Sequence, residues 1–181
     1  MKVSKDELFA KIPAVDEAKV DAALNEERRG FDRKIIVLDD DPTGVQTVNG
    51  IHVYTDWSPE SIAEGFAEEN AMFFILTNSR AFQAAETEAE HRTIAARVAA
   101  ESKRTGKQFM LISRSDSTLR GHYPLETETL AHALEASGER IDGEVLMPFF
   151  KEGGRFTIGD VHYVQEGADL TPAGETEFAR D

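Results

Sequence analysis

Four short apolar runs, each leading into a polar cluster, recur along this 181-residue chain. They cover residues 35–38, 71–76, 108–112 and 144–147, and an alternating stretch at 51–55 adds a further strand pattern. Helical patterns separate the runs, beginning at residue 58 and spanning about 84–103 and 123–136. Strands that alternate with helices are typical of βαβ units. The pattern therefore predicts an α/β domain with a mostly parallel sheet flanked by helices.

The polar clusters at the strand ends are the main functional signal. Carboxyl ends of parallel strands meet at one edge of a sheet, where ligands bind in open α/β folds. The first cluster reads DDDPTG at residues 39–44. Three adjacent carboxylates repel one another unless a cation, a proton or a hydroxyl-rich ligand uses them. The alternative is an acidic turn that only caps the next element.

The second and third clusters suit a small polyhydroxylated acid. Residues 113–122, SRSDSTLRGH, combine two arginines with one aspartate and several hydroxyls, and residues 77–80 read TNSR. Guanidinium groups bind carboxylates or phosphates, whereas Asp, Ser and Thr bind sugar-like hydroxyls. Helix caps, turn formers and surface ion pairs are the alternative explanation of these residues.

The fourth cluster, KEGGR at residues 151–155, places two cations beside paired glycines. Backbone N–H groups can approach an anion closely at such glycines, which predicts a phosphate-facing loop. No Walker pattern accompanies it, and a plain turn explains the same residues equally well.

The two ends of the chain have a different character. Residues 5–29 have a helical pattern that Pro13 divides and Gly30 ends, which predicts a docking or packing segment. Residues 156–164 predict a hairpin of two short strands about a Gly-Asp turn. Residues 165–181 are polar and Gly-rich without apolar periodicity, as in the lead-in to something longer.

The composition excludes several classes of protein. The formal net charge is −14, which argues against nucleic-acid partners and anionic membrane surfaces. The absence of cysteine excludes disulfides and thiolate metal sites. No signal peptide and no apolar stretch near the roughly 18 residues of a membrane span are present, so a cytoplasmic protein is expected. The triple Asp is the one acidic set suited to Mg²⁺, and no other metal site is predicted.

A haloacid-dehalogenase-type phosphatase is an alternative for the first cluster. Residues 39–43 satisfy the D-x-D-x-T pattern of that superfamily after an apolar strand, and residues 75–78 resemble its second motif. Its Mg²⁺ site also needs a strand that ends in an acidic pair. The later strand ends supply none, which disfavours the phosphatase. A non-catalytic small-molecule-binding module is the other alternative.

Four motifs together resemble the N-terminal domain of the four-carbon acid sugar kinases: LDDDPTGVQT at 38–47, TNSR at 77–80, SRSDSTLRGH at 113–122 and MPFF at 147–150. The resemblance covers residues 33–181 and implies a Rossmann-like three-layer domain that binds the acid sugar. Residues 1–32 form a helical lead outside it.

The resemblance implies a two-domain enzyme that phosphorylates threonate, erythronate or a related sugar acid with ATP and Mg²⁺. The C-terminal domain of such an enzyme supplies most of the nucleotide site. This sequence ends without a second domain, so we expect it to be inactive alone. Either it is a fragment of a longer kinase, or the second domain is a separate polypeptide. A homo-oligomeric state of the chain is a further alternative.

Phosphoryl transfer needs an oriented hydroxyl, a base or orienting carboxylate, and cations. We predict that one of Asp39, Asp40 and Asp41 orients or deprotonates the hydroxyl, and that Arg114 and Arg120 hold the substrate carboxylate, with Asp116 and Ser115 on its hydroxyls. The predicted substrate-binding set is Thr43, Gly44, Asn78, Ser79, Arg80, Arg114, Ser115, Asp116, Ser117, Thr118, Arg120 and Gly121. The predicted phosphate-facing set is Lys151, Gly153, Gly154 and Arg155.

Overall fold

The computed structural model describes residues 2–179, so Arg180 and Asp181 of the predicted domain 33–181 lie outside the described residues. The chain divides into two compact units. The parallel unit comprises Asp32–Asp116 and Gly121–Glu144. The antiparallel unit comprises Met1–Phe31, Ser117–Arg120 and Val145–Asp181.

The elements follow one another in a simple order. The strands are β1 (Val3–Ser4), β2 (Lys34–Asp39), β3 (Val53–Tyr54), β4 (Met72–Leu76), β5 (Phe109–Arg114), β6 (Arg155–Ile158), β7 (Val161–Glu166) and β8 (Asp169–Pro172). The α-helices are α1 (Lys5–Phe9), α2 (Glu17–Arg29), α3 (Pro59–Ala67), α4 (Ala84–Thr105) and α5 (Leu125–Ala136).

The parallel unit contains a four-stranded sheet in the order β3-β4-β2-β5, and every pair in it is parallel. Helices α3, α4 and α5 flank this sheet. The predicted α/β class, with a mostly parallel sheet flanked by helices, is therefore confirmed, and the architecture is Rossmann-like. Among the described residues, no helix is long and apolar enough to cross a membrane.

The hydrophobic core of the parallel unit lies between the sheet and its helices. The fully or almost fully buried residues of this core are Ile36, Leu38, Ile62, Phe66, Phe73, Ile75, Ile94, Ala95, Val98, Ala99, Leu130 and Leu134. The apolar runs of β2 and β4 enter the core because these strands have neighbours on both sides. In the edge strand β5, Phe109 and Leu111 pack against the core, whereas Met110 and Ile112 are exposed. The sheet thus holds the carboxyl ends of β2, β4 and β5 side by side.

Local signals set the helix ends. The Ser58 hydroxyl accepts a hydrogen bond from the Ser61 amide and caps α3, with Pro59 in the first turn. Gly106 ends α4 in the left-handed conformation, with φ of 71°.

The predicted strand at 144–147 is wrong. The described chain has no regular structure from residue 140 to 149, and the apolar side chains of Val145, Leu146 and Met147 are exposed. A strand exists only when its backbone pairs with a neighbour, and an apolar composition cannot supply that neighbour.

The antiparallel unit contains the predicted hairpin. Strands β6 and β7 pair about Gly159 and Asp160, whose φ angles of 57° and 62° suit a tight hairpin turn. The hairpin is part of a larger sheet than predicted. Strand β8 pairs with β7, and β1 pairs with β8, which gives the order β1-β8-β7-β6. No strand is predicted after residue 165, yet β8 lies there, and its Leu170 is fully buried in spite of its polar neighbours.

The N-terminal helical prediction is confirmed as two separate helices, α1 and α2, on either side of Pro13. Neither helix has a buried residue. Asp16 caps α2 by accepting a hydrogen bond from the Lys19 amide.

Candidate functional site

Three of the predicted polar clusters meet at the carboxyl edge of the parallel sheet. Asp39, the last residue of β2, lies opposite Leu76 of β4 and Arg114 of β5 in the strand registers. The Thr77 amide donates to the Asp39 carbonyl at 2.9 Å, and the Asp116 amide donates to Asp40 Oδ2 at 3.0 Å. The parallel register therefore places the triple Asp between the other two clusters.

Asp40 is the structural centre of this edge. Its side chain is 2 % exposed, and Arg80 donates to it through Nε at 3.2 Å and Nη2 at 3.1 Å. The forked geometry matches a bidentate arginine–carboxylate pair. Burial raises the pKa of Asp40, and the hydrogen bonds and charge of Arg80 oppose that shift. Both carboxylate oxygens of Asp40 are thus already engaged within the chain.

Asp39 is buried more completely and is paired less well. Its side chain is 0 % exposed, and Arg114 Nη1 donates to Oδ1 at 3.0 Å. Among the described residues, Oδ2 has no hydrogen-bond donor. Burial raises the pKa of Asp39 to about 6, although the charge of Arg114 acts in the opposite direction. Asp39 therefore combines complete burial with a pKa of about 6.

Asp41 has the opposite environment. Its Oδ1 accepts hydrogen bonds from the Thr43 amide at 2.7 Å and from the Thr43 hydroxyl, and its Oδ2 accepts from Arg80 Nη1 at 2.6 Å. The hydroxyl bond of Thr43 is the main cause that holds the pKa of Asp41 below its usual range. At 20 % exposure, the Asp41 side chain is an acceptor at the surface of the site, and its lowered pKa favours the charged form.

The two arginines of the site differ in what they have left to donate. Arg80 uses Nε, Nη1 and Nη2 on Asp40 and Asp41, and its Nη2 lies 3.6 Å from Asp116 Oδ1. Arg114 uses Nη1 alone in its bonds to the described residues, and its side chain is 36 % exposed. Arg114 therefore keeps donors for an external carboxylate, whereas Arg80 is committed to the aspartates.

The remaining predicted residues of the parallel unit lie in the same turns. Asn78 is exposed with φ of 55°, a left-handed conformation that Asn tolerates. A Cβ on Gly44 would lie 2.0 Å from Asp39 Oδ2, and one on Gly121 would lie 2.2 Å from Ser115 Oγ. Both glycines are thus needed for close packing on polar side chains. Ser115 Oγ is buried, with no hydrogen-bond partner among the described residues.

A buried layer of polar residues lies beneath the TNSR turn. Ser79 is fully buried, and its hydroxyl donates to Glu126 Oε1 at 2.7 Å. His91 Nε2 lies 3.8 Å from the same carboxylate oxygen. Ser79 therefore supports the turn from below rather than facing solvent.

Three predicted residues, Ser117, Thr118 and Arg120, belong to the antiparallel unit. Ser117 Oγ lies 2.9 Å from His162 Nε2, and His162 Nδ1 lies 2.9 Å from Thr157 Oγ1. Thr157 Oγ1 also donates to the Pro148 carbonyl, so it accepts from His162 Nδ1, and in the neutral imidazole Nε2 accepts from the Ser117 hydroxyl. The hydroxyl of Ser117 is oriented by this histidine.

The KEGGR loop of the antiparallel unit forms a single tight turn. Lys151–Gly153 is one turn of 3₁₀-helix, and the Phe150 and Arg155 backbones exchange hydrogen bonds at 3.0 and 2.8 Å. A Cβ on Gly153 would lie 2.4 Å from the Phe150 ring, and Gly154 has φ of 67°. The turn itself requires both glycines, so the phosphate-facing role stays a prediction.

A metal ion does not fit the aspartate cluster. Arg80 and Arg114 already supply positive charge to the three carboxylates, and Asp40 has no oxygen free. Across residues 2–179, no group of three or more His, Asp or Glu side chains is arranged to hold a metal ion.

Sequence reasoning missed Glu126, His91 and His162. Glu126 lies in the first turn of α5, where an acidic residue usually faces solvent and favours the helix dipole. His91 occupies an inward-facing helical position like any core residue. His162 belongs to a β-hairpin pattern that carries no chemical signal. No motif in the sequence distinguishes these residues from structural ones.

The comparisons with known proteins bear on the parallel unit and on most of the antiparallel one. Residues 35–181 match the family described as the sugar-binding N-terminal domain. No curated protein and no solved structure matches the chain significantly. The matched segment contains all four motifs and confirms the family resemblance drawn from them. The chain belongs to the family of sugar-binding N-terminal domains.

Proposed function

We propose that this domain binds a four-carbon sugar acid of the threonate or erythronate type and forms the substrate-binding half of an ATP-dependent kinase. The single observation that carries the proposal is the partly exposed Arg114, anchored on buried Asp39 through one nitrogen only. A fixed guanidinium with unused N–H donors is a binding group for a carboxylate.

The hydroxyl groups of the sugar acid would meet the aspartates. Asp41 is charged and partly exposed, so it can accept a hydrogen bond from a hydroxyl without any change in the turn. Asp39 has the near-neutral pKa that suits a general base. Contact with Asp39 Oδ2 requires the turn at Gly44 to move aside, because the carboxylate is fully buried.

ATP with Mg²⁺ would supply the phosphoryl group. We assign the nucleotide and its metal to a second, nucleotide-binding domain, as the resemblance to the acid sugar kinases implies. The proposed role of this chain is to bind the sugar acid, to hold its carboxylate on Arg114 and to orient one hydroxyl.

Arg114→Ala is expected to weaken threonate or erythronate binding by about 10- to 100-fold. This change in affinity corresponds to the free energy of the charge-assisted hydrogen bonds that the variant loses. Isothermal titration calorimetry of the wild-type and variant chains measures this change. The matched control is Arg92→Ala, because Arg92 pairs with Glu88 on the exposed face of α4 and should leave affinity unchanged.

Two results would contradict the proposed function. One is a wild-type chain that binds neither acid, and the other is an Arg114→Ala variant with unchanged affinity. Hydrolysis of p-nitrophenyl phosphate with Mg²⁺, abolished by Asp39→Asn, would instead support the phosphatase.

A further inference from the structure

The buried carboxylate of Glu126 is not explained by packing alone. Glu126 is 1 % exposed, and the neighbouring Ser79, Thr87 and His91 are equally buried. Glutamate is almost never fully buried unless it is paired. Here Oε1 accepts from Ser79, whereas Oε2 has no hydrogen-bond partner among the described residues. Burial of a carboxylate with one unpaired oxygen lowers the stability of the fold. The role of Glu126 therefore lies in the side chain that it holds in place.

The imidazole behind Glu126 has a defined orientation. His91 Nδ1 lies 2.8 Å from the Thr87 carbonyl, which can only accept, so Nδ1 carries a proton. The ring therefore presents Nε2 to Glu126, 3.8 Å from Oε1. When it is protonated, His91 offsets the charge of the carboxylate.

The Ser79 hydroxyl links this buried pair to the site. Ser79 lies in the turn between the left-handed Asn78 and Arg80. The turn is held on its other side by Thr77 Oγ1, which donates to the Asp39 carbonyl at 3.0 Å. Arg80 leaves this turn with all three guanidinium nitrogens on Asp40 and Asp41. The position of that guanidinium therefore depends on how firmly Ser79 is held.

We propose that Glu126, backed by His91, is a positioning residue: by accepting the Ser79 hydroxyl it fixes the turn that places Arg80 on Asp40 and Asp41. The consequence for sugar-acid affinity rests on the proposed function, whereas the consequence for Arg80 does not. Glu126 touches no ligand in this proposal. It acts through Ser79.

The first test reads Arg80 without any ligand. In the wild-type chain the Arg80 Nε–H, which is bonded to Asp40, should exchange slowly with solvent in nitrogen–proton NMR spectra. Ser79→Ala and Glu126→Leu should each speed this exchange about tenfold, the effect of loosening one hydrogen-bonded anchor. Glu126→Gln keeps an acceptor oxygen for Ser79 and should restore slow exchange.

The matched control is Thr87→Val. It keeps the backbone carbonyl that holds His91 and removes only a hydroxyl without a partner among the described residues, so exchange at Arg80 should not change. Ser79→Ala removes a single oxygen, so it carries the test even if Glu126→Leu fails to fold. Unchanged exchange in Ser79→Ala would overturn the proposal.

The second test titrates threonate into the same variants. Ser79→Ala and Glu126→Leu should each raise the Kd for threonate about tenfold. The Kd of the double variant should not exceed that of the weaker-binding single variant, because both changes break the same link. Fully additive losses would overturn the link through Ser79. A wild-type chain that binds no threonate while Arg80 responds as expected would contradict the proposed function and leave the positioning role standing.

Discussion

Asp39→Asn is expected to stabilise the protein at pH 8 while weakening threonate binding at least tenfold. The carboxyl of Asp39 has a pKa of about 6 in the folded chain, against 3.8 for an ordinary aspartate. The folded state therefore holds the proton more tightly than the unfolded state. The contribution of Asp39 to the stability of the wild-type chain therefore falls as the pH rises from about 4 to about 6. Above that range this contribution stays constant.

An asparagine side chain cannot ionise, so the variant escapes this loss. The difference in unfolding free energy between variant and wild type should be near zero at pH 4 and should reach about 2–3 kcal/mol in favour of the variant at pH 8. Urea unfolding followed by fluorescence of the single tryptophan, Trp57, measures both values. Binding should weaken because the neutral amide anchors Arg114 less firmly.

Asp41→Asn provides a control of opposite sign. The hydrogen bond from Thr43 lowers the pKa of Asp41, so its ionised form stabilises the fold above the unfolded pKa, and that contribution is lost as the pH falls. The Asp41→Asn variant should be less stable than wild type at pH 8. An Asp39→Asn variant that is destabilised at pH 8 in the same way would show that Asp39 is an ordinary ion-pair residue.

Gly44→Ala is expected to abolish measurable threonate binding. A methyl group there would lie 2.0 Å from Asp39 Oδ2 and 2.6 Å from its Cγ, far inside contact distance. Asp39 cannot swing away freely, because it is fully buried and its Oδ1 is bonded to Arg114. Either the turn or the carboxylate must move, and Arg114 moves with it.

The expected cost in stability is about 1–3 kcal/mol, as for other insertions into packed sites. Calorimetric titration and urea unfolding of the Gly44→Ala chain measure the two effects. Gly143→Ala is the matched control, since a Cβ at Gly143 meets nothing within 4 Å. Retention of wild-type affinity by Gly44→Ala would show that the geometry around Asp39 does not matter for binding.

The sequence was sufficient for the frame of the parallel unit. Residues 35–38, 71–76 and 108–112 are apolar runs of strand length, and Ser58-Pro59 and Gly106 are local signals for a helix start and a helix end. Such patterns depend only on near neighbours in the chain. The rule that parallel strands share an edge then placed three of the four polar clusters together without any coordinates.

The same reasoning failed where pairing decides structure. Residues 144–147 include three consecutive apolar residues but pair with no strand of the described chain. The polar β8, in contrast, is a strand because β7 and β1 lie beside it. Strand identity at both places depends on partners distant in sequence.

The sequence by itself determined the α/β class, the order of the elements in the parallel unit and the residues that gather at one edge of its sheet. Only the tertiary structure decided that Asp39 is buried with one oxygen unpaired among the described residues, and that Asp41 is charged and partly exposed. It also decided that Arg80 uses all three guanidinium nitrogens on the aspartates, whereas Arg114 uses one. The physical reason is that periodicity records which side of an element faces inward. Burial, charge partners and hydrogen bonds, which distinguish three adjacent aspartates, are set by residues such as Thr43, Arg80 and Arg114 that only folding brings to them.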